Sequence, residues 1–168
     1  GLAFISNVVL GPGGRVVAAF AGAWRAAHAA GVEFVLAHAR VAAAPSAVTI
    51  ATNGGYPLDQ NLYQAVKGMT AAEANTLPEG RIIMVAGCAD GVGGEGFAEL
   101  LARMESPADF VRWAESVPAE ATPPDLWEAQ ILARILRRFP VTLVSTGIPP
   151  GIVLPPSLRV ATSLTEAV

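Results

Sequence analysis

The sequence has few charged residues, one cysteine and no long uninterrupted apolar run. Only 15% of its 168 residues are charged, whereas 52% are hydrophobic, a balance that excludes an intrinsically disordered chain. Because Cys88 is the only cysteine, a fold stapled by disulfides is excluded and a cytoplasmic setting is expected. Charged residues interrupt the most apolar stretch at Arg25, Glu33 and Arg40. The sequence therefore predicts no membrane-spanning helix.

Basic residues and histidines are also scarce. The chain has 11 Lys and Arg against 14 Asp and Glu, a net charge of −3, and no basic block. Nucleic acid is therefore not an expected partner, since neutralising phosphates requires clustered Lys and Arg. The two histidines, His28 and His38, lie on a predicted Ala-rich helix without acidic or thiol partners at metal-ligand spacing. We expect structural histidines and no metal site in this chain.

Predicted strands and helices alternate along the sequence. A β-hairpin is predicted around the turn Gly11–Gly14, and a helix from about Ala23 to Ala43 follows it. The remainder contains four apolar strands, which we expect to be buried and which helices or loops separate: Ala47–Thr52, Arg81–Gly87, Val141–Thr146 and Leu158–Thr162. This alternation is typical of an α/β three-layer domain, a mainly parallel sheet flanked by helices. We expect residues 1–44 to form a hairpin and connecting helix, and residues 45–168 to form the α/β domain.

Both ends of the sequence are unusual. Gly1 leads directly into an apolar segment, without a start methionine or a signal peptide. At the other end, Ser163 and Glu166 have the spacing of a helix-capping box, but the chain stops after one turn. We expect both ends to be cuts within a longer polypeptide.

One predicted helix combines an apolar stripe with a polar face. The helix follows the run TNGGYPLDQ, and Asp59 is expected to cap it. Its apolar residues recur at helical spacing: Leu62, Ala65, Val66 and Met69. Tyr63, Gln64 and Lys67, which we call the polar face, lie roughly opposite. This face is either simply solvated or a binding surface, because an amine, an amide and a phenol can hold a small carboxylate and a neighbouring oxygen. Its place after a strand favours binding, since ligands of α/β sheets gather at the carboxyl ends of strands.

Two other features carry weaker signals. Trp127 lies in the first turn of a helix that Asp125 and Glu128 are expected to cap, and it projects away from that helix's apolar stripe. It can either wall a pocket or support the preceding prolines. The run Gly91–Gly96 satisfies G-x-G-x-x-G, but no acid follows at the end of a next strand as a dinucleotide site requires. A tight turn or a loop that offers N–H groups to an anion is expected there. Cys88 is expected to be a buried thiol.

Three segments together resemble one protein family. NGGYPLDQNLYQAVKGMTAAE, IIMVAGCADGVGGEGF and LWEAQILARIL closely resemble the C-terminal domain of nickel-dependent lactate racemase and its homologues. The opening FISNVVLGPGGRVVAAFAGAWRAAHAAGVEF is similar to that family as well, so the resemblance covers nearly the whole chain. It implies that Gln64 and Lys67 hold a 2-hydroxy acid substrate. It also implies that Tyr63 and Trp127 line the same pocket.

The resemblance further implies a cofactor and a second domain. The family uses a nickel-pincer nucleotide, which takes a hydride from the substrate carbon and returns it to a 2-keto acid intermediate. Its proton-transferring and nickel-binding histidines and its cofactor-linked lysine belong to an N-terminal domain. We therefore expect residues 1–44 to lead toward that domain. We also expect this chain to hold no catalytic residue and no cofactor, and to be inactive alone. The alternative is a free-standing α/β module that binds a small carboxylate or phosphate without catalysis.

Overall fold

The computed structural model describes residues 2–168. The chain divides into two units, Gly1–Ala42 and Ala43–Val168. In the first, β1 (Phe4–Leu10) and β2 (Val16–Ala23) form an antiparallel hairpin, and α1 (Trp24–Ala39) follows. Gly13 and Gly14 adopt φ values of 71° and 72° in the hairpin turn, a conformation that glycine reaches without steric cost. The predicted hairpin and helix are confirmed.

The second unit is built on a parallel four-stranded sheet in the order β3-β4-β5-β6. Helices connect or flank its strands, which confirms the predicted α/β class. In chain order the elements are β3 (Ser46–Thr52), α2 (Leu62–Glu73), β4 (Thr76–Val85), α3 (Glu95–Arg103), α4 (Pro107–Ser116), α5 (Leu126–Leu136), β5 (Val141–Val144), β6 (Leu158–Ala161) and α6 (Leu164–Ala167).

The main core lies between one face of this sheet and helices α2 to α5. The apolar stripe predicted for α2 is buried there in full, as are Phe97 of α3 and Leu132 of α5. Each large apolar side chain buried in this way contributes roughly 1.5–3 kcal/mol. The other face of the sheet carries a smaller cluster that α6 covers: Ile83, Val144, Ala161 and Ala167. Of the helices in residues 2–168, none has the length and apolarity needed to cross a membrane.

The prediction that β3 is a buried strand is wrong. In the second unit β3 is the edge of the sheet and pairs with β4 alone. Val48 is 38% exposed and Ile50 is 51% exposed on its outer face. Position at an edge does not by itself expose a strand, because β6 is the other edge and its Leu158 and Ala161 are buried. The helix that covers this face of the sheet, α6, packs against β5 and β6, and a short apolar run does not reveal which strand a helix will cover.

The end of the chain forms the capped turn that was predicted. Ser163 Oγ accepts a hydrogen bond from Glu166 N at 3.2 Å. The Glu166 carboxylate accepts from Thr162 N at 2.8 Å, one residue before the position that a standard capping box would use. The hydrogen bonds that Thr162 donates to this carboxylate from its backbone N–H and from its hydroxyl hold the pKa of Glu166 below its ordinary value, with a smaller contribution from nearby Arg159.

Candidate functional site

Two loops meet at the carboxyl ends of β3 and β4 and fix the start of α2. The first joins β3 to α2, and the second follows β4. Asp59 in the first loop accepts a hydrogen bond from Gly87 N through its carboxylate at 2.8 Å. Its backbone oxygen accepts another from Cys88 N at 2.9 Å. Because adjacent parallel strands end at the same edge of the sheet, these contacts place the first turn of α2 at that edge.

The expectation that Asp59 caps α2 is therefore wrong. Asn61 is the cap, and its Oδ1 accepts from Gln64 N at 3.0 Å. Sequence alone does not separate the two, because Asp and Asn are nearly equal as caps and lie two residues apart. The contact of Asp59 with the loop after β4 is what decides between them.

The glycine-rich loop after β4 supports α2 through its carbonyl groups. Leu62 N and Tyr63 N, in the first turn of α2, donate to Gly91 O and Val92 O, both at 3.0 Å. Gly91 and Gly93 adopt φ values of 68° and 119°, which explains why glycine is required at these turns. The loop is a tight turn whose carbonyl groups accept hydrogen bonds from the first N–H groups of α2. Those N–H groups of α2 are therefore engaged with the protein itself.

Cys88 lies in the same loop and is fully buried, as predicted. Burial raises the pKa of its thiol, a hydrogen bond with Ser145 lowers it, and the nearby Asp59 carboxylate raises it. The thiol is a packing group in this environment, since a reactive cysteine requires a lowered pKa and access to solvent.

The polar face of α2 is partly open to solvent. Lys67 is exposed, whereas Tyr63 and Gln64 are half-buried. Lys67 Nζ donates to Gln64 Oε1 at 2.7 Å and lies 5.3 Å from the centroid of the Tyr63 ring. Lys67 forms no salt bridge with any of the residues 2–168. The ammonium group therefore keeps donors available for an anion.

A surface groove of ≈ 340 Å³ runs beside this face. Gln64 and Lys67 line it together with three other residues: Asn53, Leu58 and Gly68. Asn53 Nδ2 donates to Leu58 O at 2.7 Å and to Gln64 O at 2.6 Å, so one amide ties the loop before α2 to the helix. A Cβ at Gly68 would collide with Asn53 Oδ1 and lie 2.7 Å from Met84 Cε. Glycine at this position permits the close approach.

Trp127 reaches the polar face through Tyr63. The rings of Tyr63 and Trp127 meet edge to face, with 5.9 Å between their centroids. Phe97 holds the Tyr63 ring from beneath, at 5.3 Å and again edge to face. Trp127 is 52% exposed. The four residues predicted to contact substrate, Tyr63, Gln64, Lys67 and Trp127, are thus connected, although neither Tyr63 nor Trp127 lines the groove beside Lys67.

The prediction that Asp125 and Glu128 cap α5 is wrong. Asp125 adopts the left-handed conformation, with φ 64°, and its side chain makes no capping hydrogen bond. Glu128 is 0% exposed, and neither carboxylate oxygen has a hydrogen-bond partner among residues 2–168. Sequence reasoning did not predict the burial of Glu128, because the D-x-x-E spacing supplied a ready structural explanation for it.

Burial and neighbouring charges shift the pKa values of Glu128 and Tyr63. Burial raises the pKa of Glu128, the positive charge of Lys67 lowers it, and the Asp125 carboxylate raises it. Partial burial raises the pKa of Tyr63, and the carboxylates of Asp125 and Glu128 raise it further. Tyr63 is therefore a neutral phenol at neutral pH.

The two histidines lie on α1, in the first unit, and both are exposed. His38 Nδ1 lies 2.7 Å from Phe34 O, and its ring stacks on that of Phe34 at 4.1 Å between centroids. Within residues 2–168, no group of three His, Cys, Asp or Glu side chains is close enough to hold a metal ion.

Comparison with known proteins shows to which family the chain belongs. Residues 41–168 match the family model described as the lactate racemase C-terminal domain. The chain belongs to that family. The family identity suggested by the three sequence segments is confirmed.

Full-length relatives are much longer than this chain. It is 49% identical over 166 residues to a lactate racemase of Lactiplantibacillus plantarum, covering 99% of this chain and 39% of that protein. It is 51% identical over 144 residues to a lactate racemase of Thermoanaerobacterium thermosaccharolyticum, covering 86% of this chain and 34% of that protein. The solved structure of the lactate racemase apoprotein from T. thermosaccharolyticum superimposes with a TM-score of 0.86 at 46% identity, over 99% of this chain and 40% of that one. The lactate racemase C-terminal domain thus forms two fifths or less of these relatives.

Proposed function

We propose that this chain is the substrate-side domain of a 2-hydroxy acid racemase or epimerase. The observation that carries the proposal is the exposed Lys67 ammonium, fixed by Gln64 and Tyr63 at the edge of the sheet where parallel strands end. A 2-hydroxy acid presents a carboxylate beside a hydroxyl-bearing carbon. Lys67 supplies a positive charge for the carboxylate, and Gln64 supplies a neutral donor and acceptor for the neighbouring oxygen.

Aromatic side chains form one side of the proposed site. Phe97 holds Tyr63 in place, and Tyr63 in turn meets Trp127. The Tyr63 ring limits the access of water to the ammonium group from one side. An ion pair in open water contributes only about 0–1 kcal/mol, and removing water strengthens the same contact. We propose that the remainder of a longer chain closes the other side.

The side chains of this chain do not fit nickel. Metal sites in proteins require several His, Cys or carboxylate ligands in one place, and residues 2–168 contain no such group. The chemistry that a nickel-pincer nucleotide supplies when bound is acceptance and return of the hydride, through a 2-keto acid. We assign the cofactor and the proton-transferring groups to another domain of the polypeptide, and to this chain the binding and orientation of substrate.

Orientation is the contribution that Lys67 makes to such a reaction. The substrate carbon becomes planar midway, and a racemase returns the hydride to either face. A carboxylate held by a fixed cation keeps that carbon in place while its other substituents move. Lys67 therefore acts as an anchor, and a proton-transfer role is not assigned to it.

Replacement of Lys67 tests this function. In the full-length polypeptide that carries this domain, loaded with cofactor, Lys67→Ala should lower the turnover of a 2-hydroxy acid by orders of magnitude. Gln64→Ala should lower turnover less, because it removes a neutral hydrogen bond instead of a charge. A chiral chromatographic assay of the two enantiomers measures both variants.

A matched control separates chemistry from folding. Glu99→Ala alters an exposed charged residue on α3 and should leave turnover unchanged. Circular dichroism should show native helix content for all variants, since Lys67 lies off the apolar stripe of α2. Near-normal racemisation by Lys67→Ala would show that the polar face is only a solvated surface, and it would refute the proposal.

A binding module without catalysis is the second candidate. It requires the same contacts to Lys67 and Gln64, and it differs in lacking a catalytic partner domain. Racemisation by the full-length polypeptide, together with loss of turnover in Lys67→Ala, would exclude it.

A further inference from the structure

The first unit of the chain buries almost nothing by itself. Of its residues 2–42, only Ala27 is buried. Units of about 40 residues usually need a disulfide, a metal or an additional chain to be stable, because their own core is too small. The only cysteine, Cys88, lies in the second unit, and residues 2–168 contain no group of metal ligands. The first unit therefore requires contacts from protein outside it.

The hairpin β1–β2 exposes one face to solvent, which we call the outer face. Helix α1 packs on the opposite face, where the rings of Phe20 and Phe34 lie 5.8 Å apart. Three cross-strand pairs make up the outer face, and all six residues are exposed: Phe4 with Ala23, Ser6 with Ala21, and Val8 with Ala19. None of them is charged. An exposed apolar face without charges is typical of a surface that another part of a protein covers.

The edges of the hairpin are unprotected as well. Within residues 2–168 the hairpin is a separate two-stranded sheet, so each strand has one side without a partner strand. Neither FISNVVL nor VVAAFAGA contains a charged residue or a proline, which are two of the features that keep an edge strand from pairing with another. Further strands would satisfy the free N–H and C=O groups. The hairpin therefore resembles the inner part of a larger sheet.

Comparison with relatives indicates what completes this sheet. The model of the C-terminal domain matches residues 41–168, so residues 2–40 lie outside that domain. The T. thermosaccharolyticum structure matches 99% of this chain, the hairpin included, but only 40% of that protein's own chain is matched. Most of that protein therefore lies outside the match, and it is large enough to supply further strands.

We propose that β1 and β2 are part of a larger sheet, whose other strands come from the portion of a longer polypeptide that lies outside the C-terminal domain. A covalently continuous occupant is favoured over a transient partner, because the outer face has no charge to steer or orient a partner that binds and leaves. The inference takes from the proposed function that this chain is one domain of a longer polypeptide. It adds that the first unit is a component of the other domain and not only a connection to it.

Hydrogen exchange tests this interface without any measurement of activity. Mass spectrometry follows the amides of residues 4–23 in the 168-residue chain and in the full-length polypeptide that carries it. We expect these amides to exchange at least about tenfold more slowly in the full-length polypeptide, because a segment with few buried contacts opens at little cost in free energy. Equal exchange in the two proteins overturns the inference. Protection that rises with the concentration of the full-length polypeptide assigns the outer face to a second copy, and it also overturns the inference.

Val8→Asp provides a second measurement, since it places a charge on the outer face. In the full-length polypeptide it should lower the melting temperature and return residues 4–23 to fast exchange, because a buried carboxylate without a partner is costly. In the 168-residue chain it should change neither property, as Val8 is 54% exposed there.

Val153→Asp is the matched control for Val8→Asp. Val153 is 61% exposed in the loop between β5 and β6, and its replacement should leave the full-length polypeptide unchanged in melting temperature and exchange. A Val8→Asp polypeptide as stable and as protected as Val153→Asp contradicts the proposal. The wild-type comparison of exchange still decides the matter if full-length Val8→Asp does not fold.

Lys67→Ala separates this inference from the proposed function. Residues 4–23 should stay protected in full-length Lys67→Ala, because Lys67 lies on α2 and not on the outer face. Near-normal racemisation with residues 4–23 protected refutes the proposed function and supports the interface. Loss of turnover in Lys67→Ala, together with equal exchange in the short and full-length wild-type proteins, refutes the interface alone.

Discussion

Lys67 of α2 and Glu128 of α5 lie in opposite environments. Lys67 is exposed to water, and Glu128 is completely enclosed. An exposed charge is stable by itself and binds weakly, whereas a buried charge is unstable unless it is neutralised. The site thus combines a cation that is free to bind with a carboxyl that is driven toward its neutral form.

The burial of Glu128 predicts a pH-dependent stability. Its pKa in the folded chain is raised above the ordinary value of 4.5. Between these two pKa values the unfolded chain binds fewer protons than the folded chain, so the free energy of unfolding falls as the pH rises. Glu128→Gln removes this loss. It should be more stable than the wild type at neutral pH, because a buried neutral amide avoids the greater cost of a buried carboxylate charge.

Urea denaturation at a series of pH values measures this difference. The stability gain of Glu128→Gln should shrink as the pH falls toward 4.5, because Glu128 is then protonated in both states. A stability difference that does not vary with pH would show that Glu128 does not change its ionisation on folding.

At the scale of elements, α2 owes its position to its first turn. Its first N–H groups bind the loop after β4 and the side chain of Asn61. Its apolar stripe then packs into the core, with Leu62, Val66 and Met69 all 0% exposed. Capping fixes where the helix begins, and burial of the stripe fixes which face carries Lys67 outward.

Replacement of the cap should destabilise the domain measurably. Asn61→Ala removes the acceptor for Gln64 N and should lower the free energy of unfolding by about 0.5–2 kcal/mol. Asn61→Asp keeps an acceptor of the same length and should stay close to the wild type. Urea denaturation compares the two variants. Equal stability of Asn61→Ala and Asn61→Asp would show that the hydrogen bond to Gln64 N contributes nothing.

At the scale of the whole molecule, this chain covers only part of the relatives that it resembles. Its match to two lactate racemases extends over 39% and 34% of their lengths. Groups that residues 2–168 do not bring together, such as a set of metal ligands, therefore have to come from elsewhere if the proposed reaction occurs. In the proposed function, the polar face of α2 is one side of such a site.

We predict that the 168-residue chain neither racemises lactate nor retains nickel. The reason is that its metal-ligand side chains are dispersed and its two histidines lie exposed on α1. Elemental analysis after dialysis against a chelator measures nickel, and chiral chromatography measures racemisation. A full-length lactate racemase of L. plantarum is the matched control for both. Stoichiometric nickel or turnover in the short chain would disprove the proposal that the cofactor and the proton-transferring groups belong to another domain.

Much of this architecture is determined by the sequence alone. Helical spacing of Leu62, Ala65, Val66 and Met69 is enough to place the polar face, because a helix turns by a fixed angle per residue. Apolar runs bounded by glycine and proline are enough to place the strands and their α/β arrangement. The segment from Asn53 to Glu73 is enough to suggest the family, since a long motif of specific residues rarely recurs by chance.

Other features depended on contacts between distant segments. Asn61 instead of Asp59 caps α2 because Asp59 binds the loop after β4. Val48 and Ile50 of the apolar β3 are exposed, and the helix α6, which covers that face of the sheet, packs against β5 and β6. Glu128 is buried beside α2 instead of capping its own helix. In each case local spacing permitted two outcomes, and packing against residues far along the chain selected one of them.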